Sequence, residues 1–191
     1  MPEYRRRFVA GGTFFFTVVT NFRRPILTDR ATLKSLRCAF DQTRAAHPFN
    51  VDAMVVLPDH LHCLWTLPPD DADFATRWRL IKTRFTRAYL KTGGLETGRS
   101  GSRRRQSERG VWQRRFWEHT VRDEPEFEAF ANYIHFNPVK HGHASCPHAW
   151  AHSTFHRFVR DGFYATDWCC SCDARPAKIP AFHAIDNITG E

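Results

Sequence analysis

Two short strand-like runs, residues 50–57 and 60–67, are separated only by Pro58 and Asp59. So short a link of turn-forming residues leaves the runs one way to pair, as an antiparallel hairpin. In the second run the pleat sends successive side chains to opposite faces. His60 and His62 therefore share one face, while Leu61 and Cys63 enter the other. Two neutral imidazoles two residues apart on a strand can hold one metal ion. The plain alternative is a pair of solvent-facing histidines on an edge strand.

The rest of the chain builds around that hairpin. Residues 13–20, rich in Phe, Val and Thr after Gly11 and Gly12, read as a first strand. Thr28 or Asp29 can cap a helix running to about Ala46, with Leu33, Leu36 and Phe40 on one face. Phe74, Trp78, Ile81, Phe85 and Tyr89 recur at helical spacing through residues 73–91. Residues 111–122 are a fourth strand candidate. Asp123 then caps a helix with Pro125 in its first turn and Phe127, Phe130 and Ile134 on its core face; Pro138 is expected to stop or kink it at Asn137. The order strand–helix–strand–strand–helix–strand predicts an α+β, ferredoxin-like split β-α-β sandwich with an antiparallel sheet and the histidine strand in its interior. Residues 1–142 make the main domain, with a Gly/Ser/Arg-rich mobile loop over 92–110. Residues 143–191 form an irregular extension that packs on it, its tail loose from about 173.

Charge narrows the partner. The 191 residues carry a formal charge of +8, most of the excess being arginine, whose planar fork suits phosphate. Nucleic acid is the first partner to consider. The contacts expected are Arg5, Arg6 and Arg7 in an N-terminal arm, Arg23 and Arg24 in a turn, and Arg77, Lys82 and Arg84 on the second helix. Arg103, Arg104 and Arg105 in the loop, with Arg114 and Arg115 beyond it, complete the set. No run approaches the length of a membrane span and the N-terminus lacks a signal-peptide cleavage pattern, so the chain reads as cytoplasmic. Of six cysteines, Cys38 and Cys63 read as reduced core residues. Cys169, Cys170 and Cys172 cluster near the end; a zinc site is the minor reading there, since no second Cys/His pair at finger spacing accompanies them, and no role is assigned.

A histidine pair on a central strand and a tyrosine on a later helix can meet in one cleft. Of the four tyrosines, Tyr89 falls on a buried stripe, Tyr4 in the arm and Tyr164 in the extension, which leaves Tyr133. It lies roughly 100° round from the centre of its helix's core face, at the edge, where a phenol can look into a cleft. A phenol is a weak nucleophile at neutral pH. A divalent ion such as Mg²⁺ or Mn²⁺ on His60 and His62 would polarise a DNA phosphate for in-line attack. The third ligand is Asn137 by geometry, with His119 and Glu118 as runners-up. A non-cleaving DNA hairpin-binding protein is the rival reading, since arginines and tryptophans serve it equally well.

The segment from Pro58 to Trp65 resembles the histidine–hydrophobe–histidine (HUH) signature of single-tyrosine transposases, and the segment from Tyr133 to Gly142 resembles their tyrosine helix. Tyr4-Arg5-Arg6, Gly11-Gly12-Thr13, Trp112-Gln113 with Phe116-Trp117-Glu118-His119, and Ser153-Thr154-Phe155-His156 are similar to one branch, the REP-associated tyrosine transposases. The resemblance covers roughly Tyr4 to Trp168. It implies a bacterial, nucleoid-associated, metal-dependent single-strand endonuclease and strand transferase acting on hairpins of repetitive extragenic palindromes. It further implies Tyr133 as a nucleophile forming a 5′-phosphotyrosine link, His60 and His62 as metal ligands with Asn137 completing the site, and action as a monomer, with a dimer as the alternative.

Overall fold

The computed structural model describes residues 9–98 and 100–171 together with Pro180 and Ile185. Four strands, β1 (Thr13–Val19), β2 (Asn50–Val56), β3 (His60–Thr66) and β4 (Trp117–Thr120), form one antiparallel sheet in the order β2-β3-β1-β4. That is the expected split β-α-β order, with the histidine strand inside the sheet.

Helices α1 (Arg30–Ala46) and α2 (Phe74–Lys91) cover one sheet face. Beneath them Phe14, Phe16, Leu61, Cys63 and Trp65 pack against Phe40, Trp78 and Phe85. Helix α4 (Glu124–Lys140) covers the other, where Phe15, Val55 and Leu64 meet Phe130 and Ile134. Between α2 and β4 lies a short helix, α3 (Gly101–Arg105). Each long helix begins on an aspartate whose carboxylate accepts a backbone N–H of the first turn: Asp29 for α1, Asp73 for α2 and Asp123 for α4.

Several expectations need correction. Helix α4 does not stop at Asn137 but runs through Pro138 to Lys140. The proline forfeits one hydrogen bond near the end of the helix, where the final turn is secured by His141 and Gly142 N–H donating to Asn137 and Val139 carbonyls. The fourth strand is far shorter than residues 111–122; Trp112 makes only an isolated bridge to Thr20. Cys38 is exposed, because it lies on the side of α1 opposite the buried Leu36, Ala39 and Phe40, whereas Cys63 is buried.

The described part of the 92–110 loop is also held, by contacts distant in sequence. Asn21 donates to Thr97 Oγ1 and accepts from Arg103, and Thr97 N–H and hydroxyl both donate to the Gly110 carbonyl. A Cβ at Gly110 would lie 2.4 Å from the Thr97 carbonyl oxygen, so the close approach requires glycine.

Beyond α4 the chain lies along the outer edge of β2. Ser153 bridges Val55, Thr154 N–H donates to the Met54 carbonyl, and Trp150 Nε1 donates to that of Val56. A short helix, α5 (Phe155–Arg160), follows. This cover pairs backbone groups that an exposed edge strand would offer to other chains.

Candidate active site

Because α4 lies over the sheet face to which His60 and His62 point, Tyr133 meets the histidine pair. In the register of β1 and β3, Val19 is opposite His60 and Thr17 opposite His62. Thr17 Oγ1 lies 2.9 Å from His62 Nδ1, and His60 Nδ1 is 2.6 Å from Asp59 Oδ1. Burial alone would raise the Asp59 pKa, yet hydrogen bonds from His60 and Arg23 hold it below the ordinary carboxylate value. Asp59 is therefore an anion, His60 Nδ1 is the donor, and Nε2 is the nitrogen through which the neutral ring would bind an ion.

The two imidazole centroids are 4.9 Å apart, and that of His62 is 5.3 Å from the Tyr133 ring. Phe15 backs both rings, at 5.5 Å from His62 and 6.1 Å from Tyr133. Tyr133 is only 2% exposed, so its ring is a core residue and not a cleft-edge one. The angular estimate failed because the sheet and the extension enclose α4 on more than one side: residues from Phe130 to Pro138 are almost all buried. Asn137, one turn on from Tyr133, is also fully buried.

Two further residues converge here that the sequence reading did not select. Lys140 Nζ donates to the Tyr133 hydroxyl at 3.0 Å and lies 4.6 Å from its ring centroid. Its spacing of seven from Tyr133, two helical turns, was the available signal. His141, just past the helix end, has its ring 5.3 Å from that of His60. Of the runner-up ligands, His119 shares the α4-covered face, opposite Phe15 in the sheet, and Glu118 does not. Glu118 is opposite Phe16 in the sheet, hence on the α1/α2 face. His119 Nε2 is 2.9 Å from Glu126 Oε1, and its ring contacts Phe130.

The basic residues divide. Arg77 is buried, donating to the Pro48 and Asp73 carbonyls and to Asp71, and it belongs to the core. Arg77→Ala is expected to cost about 3 kcal/mol in urea unfolding, since three charge-assisted bonds vanish inside the fold. It should leave the salt dependence of DNA affinity unchanged, and a shallower dependence would return Arg77 to the binding surface. Lys82 donates to the Gln113 and Arg114 carbonyls, Arg84 to Thr43, Arg24 to the Leu95 carbonyl, and Arg103 to Asn21 and the carbonyls of Arg109 and Trp112. Arg114 pairs with Glu108, and Arg23 with Asp59 beside His60. Arg104, Arg105 and Arg115 are exposed. Arg5, Arg6 and Arg7 lie outside the described residues. Between α2 and residues 103–116 runs a groove of about 970 Å³, lined by Arg79, Lys82, Arg87, Arg109 and Arg114. Arg79 and Arg87 belong to the basic face of α2, which reads from the sequence as a nucleic-acid surface; Arg109 is an addition.

Comparison with known proteins gives the family. The family model described as IS200-like transposase matches residues 9–137. A REP-associated tyrosine transposase of Escherichia coli K12 is 43% identical over 169 residues, 88% of this chain and 91% of that protein. A Haemophilus influenzae relative of the same, provisional description is 42% identical, over 88% of this chain and 93% of its own length. A solved structure of a REP-associated tyrosine transposase bound to a REP hairpin superposes with a TM-score of 0.74 at 42% identity, covering 88% of this chain and 91% of that one.

Proposed function

Because the chain belongs to the IS200-like transposases, in their REP-associated tyrosine branch, we propose that it nicks and rejoins single-stranded DNA at REP-type hairpins through Tyr133. The observation that carries this reading is the packing of Tyr133 against His62, itself 4.9 Å from His60, on one buried face.

The donors suit a divalent ion. His60 and His62 each engage Nδ1 with a neighbouring group, which fixes ring orientation as metal-binding histidines require. His60 and His62, with Asn137 or His141 as third ligand, would hold Mg²⁺ or Mn²⁺, and the ion supplies Lewis-acid polarisation of the scissile phosphate. The protein's own groups do the rest. Lys140 donates to the Tyr133 oxygen, stabilising the charge that develops there as the phenolic proton leaves. That oxygen bonds to phosphorus as the bond to the 3′-oxygen breaks; the phenolic proton passes to solvent and the 3′-oxygen takes one up from it, giving a 5′-phosphotyrosine and a free 3′-hydroxyl. The phosphodiester energy stays in the new bond, so a 3′-hydroxyl can later displace tyrosine without ATP.

The basic groove between α2 and residues 103–116 offers a track for the hairpin backbone, and the arginines along it meet phosphates without reading bases. No helix among the described residues is long and apolar enough to cross a membrane. The reading places the protein on DNA in the bacterial cytoplasm, associated with the nucleoid. The reading has it act as a monomer, with a dimer as the alternative; the meeting of the tyrosine with its own chain's histidine pair supports the monomer.

The test is the double variant His60→Ala, His62→Ala on labelled hairpins from the repeats flanking its gene, with Mg²⁺ or Mn²⁺. Hairpin affinity should stay within about threefold, while nicking falls by about a hundredfold or more. Retained nicking would reject the histidine site. A wild type that binds tightly but neither cuts nor forms an adduct would leave the non-cleaving hairpin binder.

A further inference from the structure

Cys170, near the end of the described chain, acquires a partner only in three dimensions. Cys146 is buried at the start of a 3₁₀ turn, Pro147–Ala149, that follows α4. Cys170 comes back to it from 24 residues away, where Ser171 N–H and its hydroxyl both donate to the Ser145 carbonyl. His148 projects from the same turn. One ligand atom from each of Cys146, His148 and Cys170 lies within 4.8 Å of the other two. A Cys-x-His pair thus faces a cysteine, the second half of a metal site that spacing along the chain did not disclose.

We propose that, with its thiols reduced, the protein binds one Zn²⁺ through Cys146, His148 and Cys170. The structure joins the two cysteines as a disulfide, which accounts for their sulfurs but not for the imidazole. His148 Nδ1 is buried and has no hydrogen-bond partner among the described residues. A buried polar atom left unsatisfied is costly, and a metal bond to this nitrogen would satisfy it. Two thiolates and an imidazole are borderline-soft donors that select zinc over the oxygen-seeking ions expected at His60 and His62. Tetrahedral coordination with sulfur at about 2.3 Å and nitrogen at about 2.0 Å sets ligand atoms roughly 3.5–3.8 Å apart, within the reach of this cluster after small shifts. Water fills the fourth position of a three-ligand site.

The chain is not one built around disulfides: Cys38 and Cys63 carry thiols. Cys169, next to Cys170, packs instead into the apolar cluster under α4. It is a core residue and not a ligand. The chemistry balances simply. A dithiol reductant gives two electrons and two protons to the disulfide and becomes a disulfide itself; Zn²⁺ then displaces the two thiol protons. The consequence is a staple. Zinc would tie the returning extension to the turn after α4, the helix that carries Tyr133 and Lys140.

The full chain, expressed with zinc and purified with a thiol reductant and no chelator, is analysed for bound metal by mass spectrometry after gel filtration. Wild type should hold roughly one zinc, as should the His60→Ala, His62→Ala variant. His148→Ala should lower zinc affinity by about tenfold or more in chelator competition, and Cys146→Ser should lose the metal. If Cys146→Ser fails to fold, Co²⁺ substitution of wild type decides: sulfur-to-cobalt charge transfer with tetrahedral d–d bands supports the site. Three results overturn it: no zinc in the reduced protein, zinc lost with the His60/His62 variant, or zinc unaffected by His148→Ala. Cys146 and Cys170 that resist alkylation until reduced, in a protein without zinc, would mark them as a disulfide only.

Discussion

Tyr133→Phe is expected to form no covalent protein–DNA adduct and to lower nicking by about a thousandfold or more, the scale seen when a catalytic nucleophile is removed. The substitution suits the test because the ring is structural and the oxygen is not. Phenylalanine keeps the contacts with His62 and Phe15, and loses only the hydroxyl that accepts from Lys140. The stability change should be about 1 kcal/mol, so lost activity reports chemistry and not unfolding. Hairpin affinity should be unchanged. Denaturing gels with labelled hairpins read the adduct directly, and one that persists in the phenylalanine variant assigns the nucleophile elsewhere. Lys140→Met extends the experiment: it should slow adduct formation while leaving the adduct obtainable. Mixing Tyr133→Phe with the His60→Ala, His62→Ala variant should restore nothing, because each protomer lacks part of one intramolecular site. Restored cleavage would mean that the tyrosine serves a partner's histidines.

Where local pattern governs, the sequence was readable. The Pro58-Asp59 turn, the period-two alternation around it and the aspartate caps are neighbour effects, and they define the hairpin and the long helices. The sheet order follows from the succession of those elements. What was misread depends on distant contacts. Arg77 was grouped with its basic neighbours, although it stands three residues after Phe74, in line with the buried stripe; its partners Asp71 and Pro48 come from outside α2. The described part of residues 92–110 shows no periodicity because its order comes from Asn21, some 76 positions from Thr97. A one-sided core would put Tyr133 at its edge, but α4 packs on the sheet and under the extension at once. His141, past the end of the helix, carries no periodicity that would reveal its approach to His60, and only the fold brings His148 to Cys170.

The same two-sided packing of α4 makes stability depend on a histidine that faces away from Tyr133. His135 is fully buried against the extension, with Nε2 at 2.8 Å from Thr154 Oγ1, Nδ1 at 3.2 Å from the Tyr164 hydroxyl, and its ring 4.5 Å from that of Phe158. Tyr164 donates its proton to Asn132, so it accepts from His135 Nδ1, and the ring is neutral with Nε2 facing a hydroxyl. Burial, reinforced by the charge of Arg157, pushes its pKa down to about 3 from an ordinary 6.5. The sign follows from which state takes up the proton. Above about pH 6.5 neither state is charged there and His135 contributes no pH dependence. As pH falls below that value the unfolded chain gains a proton that the folded chain refuses until about pH 3. Stability therefore declines by up to about 1.4 kcal/mol per pH unit, or about 2 kcal/mol by pH 5. Glu126 and Asp59, whose pKa values are lowered in the fold, also cost stability in acid, but only near and below their ordinary values of 4.5 and 3.8. Between pH 6.5 and 5 histidine dominates. His152, also lowered, adds a smaller contribution. His135→Gln, whose amide can donate to Tyr164 and accept from Thr154, should be less stable at pH 7.5 yet lose markedly less than wild type between pH 7.5 and 5 in urea unfolding. An equally steep loss in both proteins would place the acid sensitivity in other groups. A reduced loss would assign that part of the acid sensitivity to this one ring, where the extension packs on α4.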